Sequence, residues 1–187
     1  MYSGRNPYYR RGGSKYSNET ITSHLSLTAD TAANTAFPVQ NSGQPNQYTG
    51  VYIVPATNIS GNRKVKNFSI KVVAARNDSP IYGALVYVPE GTEAKKFGVG
   101  QLQQSMYEPN QNVICSFVLP PTANRDVSTG TVLSSEAPGV VTVRNRLARN
   151  LSQGDSIALV YCCPSTLKST MAEATVIDAQ VNYAIKF

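Results

Sequence analysis

Apolar residues in this chain recur mostly at every second position, and hardly at all at the three-and-four spacing of a helix. Residues 20–28 alternate, with Ile21, Leu25 and Leu27 on one side. Residues 65–76 carry Val65, Phe68, Ile70 and Val72. Denser β-branched and aromatic runs occupy residues 48–54, 81–88, 113–119, 140–147 and 156–163, and a last one spans 174–187. Proline and glycine punctuate them. Pro55 ends one run, Pro89-Glu90-Gly91 turns the chain after another, and Pro120-Pro121 stops a third. Three connections are long, 29–47, 90–112 and 120–139, as interfacial or functional loops often are. Eight strands with mixed short and long connections predict an all-β fold, a single eight-stranded jelly-roll β-sandwich. A short helix is expected within 92–104, where Ala94, Lys95 and Lys96 cluster.

Length and charge sharpen that picture. At 187 residues the chain can bury one proper core. Only 15% of residues are charged, against a usual quarter. Amides, hydroxyls and tyrosines take their place. Such groups suit surfaces buried against copies of the same protein, because desolvating a charge costs far more. The net charge is +6, unevenly placed. Arg5, Arg10, Arg11 and Lys15 fall in the first 18 residues, which hold no acid. The expected division is a disordered, basic, tyrosine-rich arm over 1–18 and a jelly-roll domain over 19–187.

Residues 1–20 hold no apolar stretch of the kind a secretory signal needs, and the longest apolar run, 157–163, is too short to span a membrane. A soluble, cytosolically made protein with no membrane partner is expected. Cys115, Cys162 and Cys163 show no metal-ligand spacing and are expected to be reduced thiols within strands. The Asn-X-Ser/Thr sequons at Asn18, Asn58, Asn67, Asn77 and Asn150 then reflect composition alone.

Candidate chemistry is sparse. The one histidine, His24, sits in an alternating strand and reads as a polar-face residue. No nucleophile elbow, phosphate-binding glycine loop or HExxH pair occurs. The acids are scattered, and Asp155, after Gly154, reads as part of a turn. No catalytic residue, metal ligand or cofactor is expected, and the chain is not expected to be an enzyme.

Nucleic-acid chemistry is better represented. Arg5, Arg10, Arg11 and Lys15 would bind phosphates through counterion release. Tyr8 and Tyr9, with Tyr2 and Tyr16, would stack on unpaired bases, which favours a single strand over a duplex. Arg63, Lys64 and Lys66 form a second basic set, with Lys71 and Arg76 further on, and Arg144, Arg146 and Arg149 a third. Positions two apart share a strand face, so Lys64 aligns with Lys66 and Arg144 with Arg146. These sets serve equally well as a nucleic-acid surface or as ordinary solvated residues.

Three segments carry a family likeness. They are Ala84-Leu85-Val86-Tyr87-Val88-Pro89-Glu90-Gly91-Thr92, Tyr107-Glu108-Pro109-Asn110-Gln111-Asn112-Val113-Ile114, and Arg146-Leu147-Ala148-Arg149-Asn150-Leu151-Ser152-Gln153-Gly154-Asp155-Ser156-Ile157. In this order they resemble capsid proteins of small circular Rep-encoding single-stranded DNA viruses, the circovirus-like group. With their flanking strands they cover roughly residues 65–163. The resemblance implies a jelly-roll subunit and self-assembly into a small icosahedral shell of identical subunits, on the order of 60. It also implies packaging of single-stranded DNA, residence in the virion, and assembly in the host nucleus or cytoplasm. It names no catalytic residue, and the receptor stays unknown. Proteins of this group often begin with a long arginine-rich arm, and the arm here is short. Sixty arms would supply roughly 240 positive charges against about a thousand phosphates in a genome of about a thousand nucleotides. Shell contacts or other basic surfaces are therefore expected to carry assembly. Two alternatives share features. The capsid of a small RNA satellite virus would share fold, arm and assembly. A β-sandwich glycan-binding module would use the tyrosines, although the chain has no Trp.

Overall fold

The alternating and apolar runs form strands because each can bury one face, or both, against another sheet. A computed structural model describes residues 15–27, 37–40, 47–77, 80–92, 112–125, 132–135, 139–163 and 175–187. No helix occurs among them. The strands are β1 (Ser17–Leu27), β2 (Phe37–Gln40), β3 (Gln47–Val54), β4 (Arg63–Ala75), β5 (Ile81–Val88) and β6 (Val113–Leu119). They continue with β7 (Ala123–Arg125), β8 (Val132–Ser135), β9 (Gly139–Asn145), β10 (Arg149–Leu151), β11 (Ser156–Cys163) and β12 (Thr175–Lys186).

Two antiparallel sheets result. The first runs β1-β12-β4, with β9 and β10 end to end along the far edge of β4; the second runs β2-β3-β11-β5-β6. The jelly roll is visible in the pairings. Count β9 and β10 as one interrupted strand and set aside the short β2, β7 and β8. The first of the eight remaining strands then pairs with the last, the second with the seventh, the third with the sixth and the fourth with the fifth. This is a long antiparallel ribbon wrapped around one core, which is what a jelly roll is.

The structure refines the expected elements. Strands 81–88, 113–119 and 156–163 match β5, β6 and β11. The long connections 29–47 and 120–139 contain β2 and the β7–β8 pair. The expected strand 140–147 stops at Asn145. There the side chain donates to the Ile114 carbonyl at 2.6 Å and accepts from the Leu147 amide at 2.7 Å, which pulls the chain out of the ladder. Of the helix expected over 92–104, residues 93–104 lie outside the described residues. Thr92 closes a turn onto the Pro89 carbonyl instead.

Val65, Phe68, Ile70, Val72, Ile177 and Val181 of the first sheet meet Ile53, Leu85, Leu119, Ile157, Leu159 and Tyr161 of the second, all within 1% exposure. Burying each such side chain contributes about 1.5–3 kcal/mol. Phe117 leans edge-on to Tyr161 with ring centroids 6.4 Å apart. Its ring lies over Gly83, where a Cβ would come within 2.3 Å of it, so only glycine fits. The second sheet is buried on its other face too, through Ala84, Val86, Val88, Ala158 and Val160. That explains why β5 and β11 read as unbroken apolar runs rather than alternating ones.

Candidate nucleic-acid interface

Charge is divided between the sheets. No Asp, Glu, Lys or Arg occurs in β2, β3, β5, β6 or β11. The first sheet holds Arg63, Lys64, Lys66, Lys71, Arg144, Arg149 and Lys186, against the acids Glu19 and Asp178.

A backbone irregularity puts most of these cations on one face. Val65 and Phe68 both point into the core although strict alternation forbids it. Asn67 resolves the conflict. It has φ of 58° and forms an extra residue in β4, so that Asn67 and Phe68 together stand opposite Tyr183. Asparagine tolerates this left-handed conformation better than most residues. The bulge shifts the phase of the strand. Lys64 and Lys66 point outward before it, and Ser69, Lys71 and Val73 after it. Without the bulge, Lys71 would face the core whenever Lys64 and Lys66 faced solvent.

The register builds the face row by row. Lys64 stands beside Lys186, and Lys66 beside Ala184. Ser69 lies between Asn182 and Arg144, and Lys71 between Gln180 and Thr142. Thr20 of β1 donates to the Asn182 side chain at 2.6 Å. His24 joins the Asp178 carboxylate at the far end. Lys71, His24, Asp178 and Gln180 line a shallow, open basin of about 580 Å³. Lys64, Lys71 and Arg144 are exposed. Among the described residues no ion pair engages these three or Lys66. Glu19 belongs to the other alternation set, opposite Tyr183. The result is a cationic sheet face interspersed with amides and hydroxyls, suited to phosphates and base edges.

Residues 15–17 adjoin this face at its corner. Ser17, the first residue of β1, pairs with Ile185 near the end of β12. Lys15 is exposed there, and the Lys66 ammonium sits 3.8 Å from the Tyr16 ring centroid. Arg5, Tyr8, Tyr9, Arg10 and Arg11 lie outside the described residues.

Arg63 corrects the sequence-based expectation. It is 6% exposed and does not join the basic face. Its guanidinium donates to the Pro55 carbonyl at 2.9 Å and the Asp155 carbonyl at 2.8 Å, holding two loops at the end of the sandwich. A position at a strand end, facing inward toward loop carbonyls, turns a cation into a clasp. Arg146 is exposed in the short link between β9 and β10, outside the alternation that would align it with Arg144, and Arg149 is half-buried in β10. Arg76 lies just past β4 in a left-handed conformation. Lys186, Gln180 and Asn182 join this face without being among the residues expected from the sequence. The signal was the alternation of Asp178, Gln180, Asn182 and Lys186 against buried Ile177, Ala179 and Val181.

Two of the three family-like segments, 84–92 and 146–157, meet at one buried carboxylate. Asp155, 5% exposed, accepts from the Tyr87 hydroxyl and the Ser152 amide at 2.7 Å each, and from the Glu90 amide at 3.1 Å. The Tyr87 amide donates to the Asn112 carbonyl at 2.7 Å. Asn112 is the only described residue of the Tyr107–Asn112 stretch. Burial, reinforced by the bond to Asp155, pushes the Tyr87 hydroxyl up to about 12. Gly154, with φ of 80°, leaves room for the Glu90 side chain. Among the described residues, Tyr87, Glu90, Ser152 and Asp155 of these segments tie loops together.

No family model matches the chain, and no curated protein matches it. Among solved structures it is similar to the K3 cleaved adhesin domain of Lys-gingipain from Porphyromonas gingivalis W83, at 14% identity and a TM-score of 0.40, over 90% of this chain and 74% of that one. It is similar to the C-terminal CBM6 of the laminarinase LamC from Zobellia galactanivorans at 10% identity and a TM-score of 0.34, over 89% and 100%. A CocE/NonD family hydrolase from Staphylococcus aureus is similar at 11% identity and a TM-score of 0.41. The alignment spans 90% of this chain but only 37% of that hydrolase.

Proposed function

We propose that this chain is a shell subunit, the coat protein of a small circular Rep-encoding single-stranded DNA virus. Copies assemble into a closed icosahedral particle around the genome, with the outward face of the first sheet turned to the nucleic acid. The protein acts by assembly and binding rather than by catalysis. One observation carries the reading. A jelly roll whose second sheet has no charged residue in its strands gathers Lys64, Lys66, Lys71, Arg144 and Lys186 on one face of the first, beside the origin of a basic arm.

This face also eases the charge deficit. Five face cations added to the four of the arm make nine per subunit. Sixty subunits then supply roughly 540 positive charges, about half of what a thousand phosphates require. A glycan-binding module would want aromatic platforms on a strand face. Of the aromatic side chains described, only Phe187 is exposed, and it lies past the end of β12.

Size-exclusion chromatography and negative-stain microscopy of the purified protein test the proposal. Closed particles carrying nuclease-protected DNA are expected. Protected RNA in place of DNA would point to a satellite-type RNA capsid, and a protein that stays monomeric at every salt concentration and pH would overturn the assignment.

A further inference from the structure

Two of the most exposed large apolar side chains among the described residues stand together. Ile59 is 71% exposed and Phe187 is 78% exposed. Both line a cleft of about 70 Å³ at the end of the sandwich, with Thr57, Ser60, Gly61, Asn62 and the carbonyl-bound Arg63. Isolated exposed apolar residues are ordinary, but two bracketing one cleft are more informative.

The surroundings define what the cleft can take. Gly61, with φ of 133°, has only open space where a Cβ would stand, chain neighbours aside. The Asn62 amide and the Thr57 and Ser60 hydroxyls supply both donors and acceptors. Residues 55–62 contain no acid. The loop is held in place, because Arg63 clasps its first carbonyl, that of Pro55. Phe187 follows Lys186, whose register partner is Lys64. An aromatic ring thus lies one residue beyond the corner of the cationic face.

We propose that the cleft between Phe187 and the 57–62 loop is a nucleobase subsite for single-stranded nucleic acid. The Phe187 ring stacks on a base, while Lys64 and its neighbours hold the adjoining phosphates. Lys64, next in sequence to the cleft residue Arg63, and Lys66 beyond it favour a polyanion here over an apolar surface of another copy. The inference rests on the proposed nucleic-acid face and extends it from phosphate attraction to base contact.

Fluorescence anisotropy on the full chain separates the two claims. The probes are a labelled twelve-nucleotide oligothymidylate and an abasic phosphodiester of equal length. Phe187→Ala should weaken oligothymidylate binding about 5- to 150-fold, the range of one base–aromatic stack, and leave abasic binding unchanged. Phe187→Tyr should retain binding. The double variant Lys64→Gln/Lys71→Gln should weaken both probes. Loss of neither probe, or equal loss of both, in Phe187→Ala would overturn the subsite and leave the face intact. A Phe187→Ala chain that binds normally but no longer assembles would mark the cleft as a subunit contact and overturn the subsite as well. An unchanged double lysine variant would instead refute the face. Failure of the parent chain to bind either probe would refute both.

Discussion

Replacing Asp155 with alanine should be among the most damaging single changes in this fold. The carboxylate is 5% exposed and accepts three hydrogen bonds, from Tyr87, Ser152 and Glu90. Each bond is worth about 1–1.5 kcal/mol net, and alanine leaves the donors facing a void, so a loss of about 3–5 kcal/mol follows. At a urea slope of ~2 kcal/mol/M the unfolding midpoint should fall by about 1.5–2.5 M. Asp155→Asn keeps one acceptor and should fall between parent and alanine. Tyr87→Phe adds a pH signature. The folded state holds the Tyr87 proton more tightly, up to about 12 against an ordinary 10. This contribution is whole below pH 10 and is lost as pH rises toward 12. Urea midpoints of parent and Tyr87→Phe, compared from pH 8 to 11.5, should therefore converge at the alkaline end. A shift under 1 kcal/mol in Asp155→Ala, or a pH-independent gap for Tyr87→Phe, would refute the clasp.

Other consequences are simpler. Gly83→Ala forces a Cβ into the Phe117 ring and should cost about 1–3 kcal/mol, read as a lowered melting temperature; an unchanged value would mean the ring moves freely. Asn67→Ala should cost about 1–2 kcal/mol because of its left-handed φ, while Asn67→Gly should be nearly neutral by urea denaturation. Burial pushes the Cys115 thiol up to about 11. At pH 8 its alkylation, followed by peptide mass spectrometry, should be about a hundredfold slower folded than unfolded.

The fold was largely legible because strand alternation and strand punctuation come from local chemistry. Runs such as 81–88 and 156–163, apolar on both faces and bounded by turn residues, admit little else. Short β2, β7 and β8 were hidden in long connections, since three or four residues carry no periodicity. The break at Asn145 depends on a side chain reaching the Ile114 carbonyl across 31 positions, which no local pattern reports. The cationic face was half legible. Lys64 and Lys66 align by simple alternation. Lys71 joins them only through the Asn67 bulge, and Lys186 only through the pairing of β12 with β4. Arg63 misled because its partners are loop carbonyls fixed by tertiary structure.

The most direct measurement is a cryo-electron microscopy map of the purified protein. The proposal predicts a closed shell in which Lys64, Lys66, Lys71 and Arg144 line the lumen against nucleic-acid density. A monomer, or a shell that turns this face outward, would contradict it.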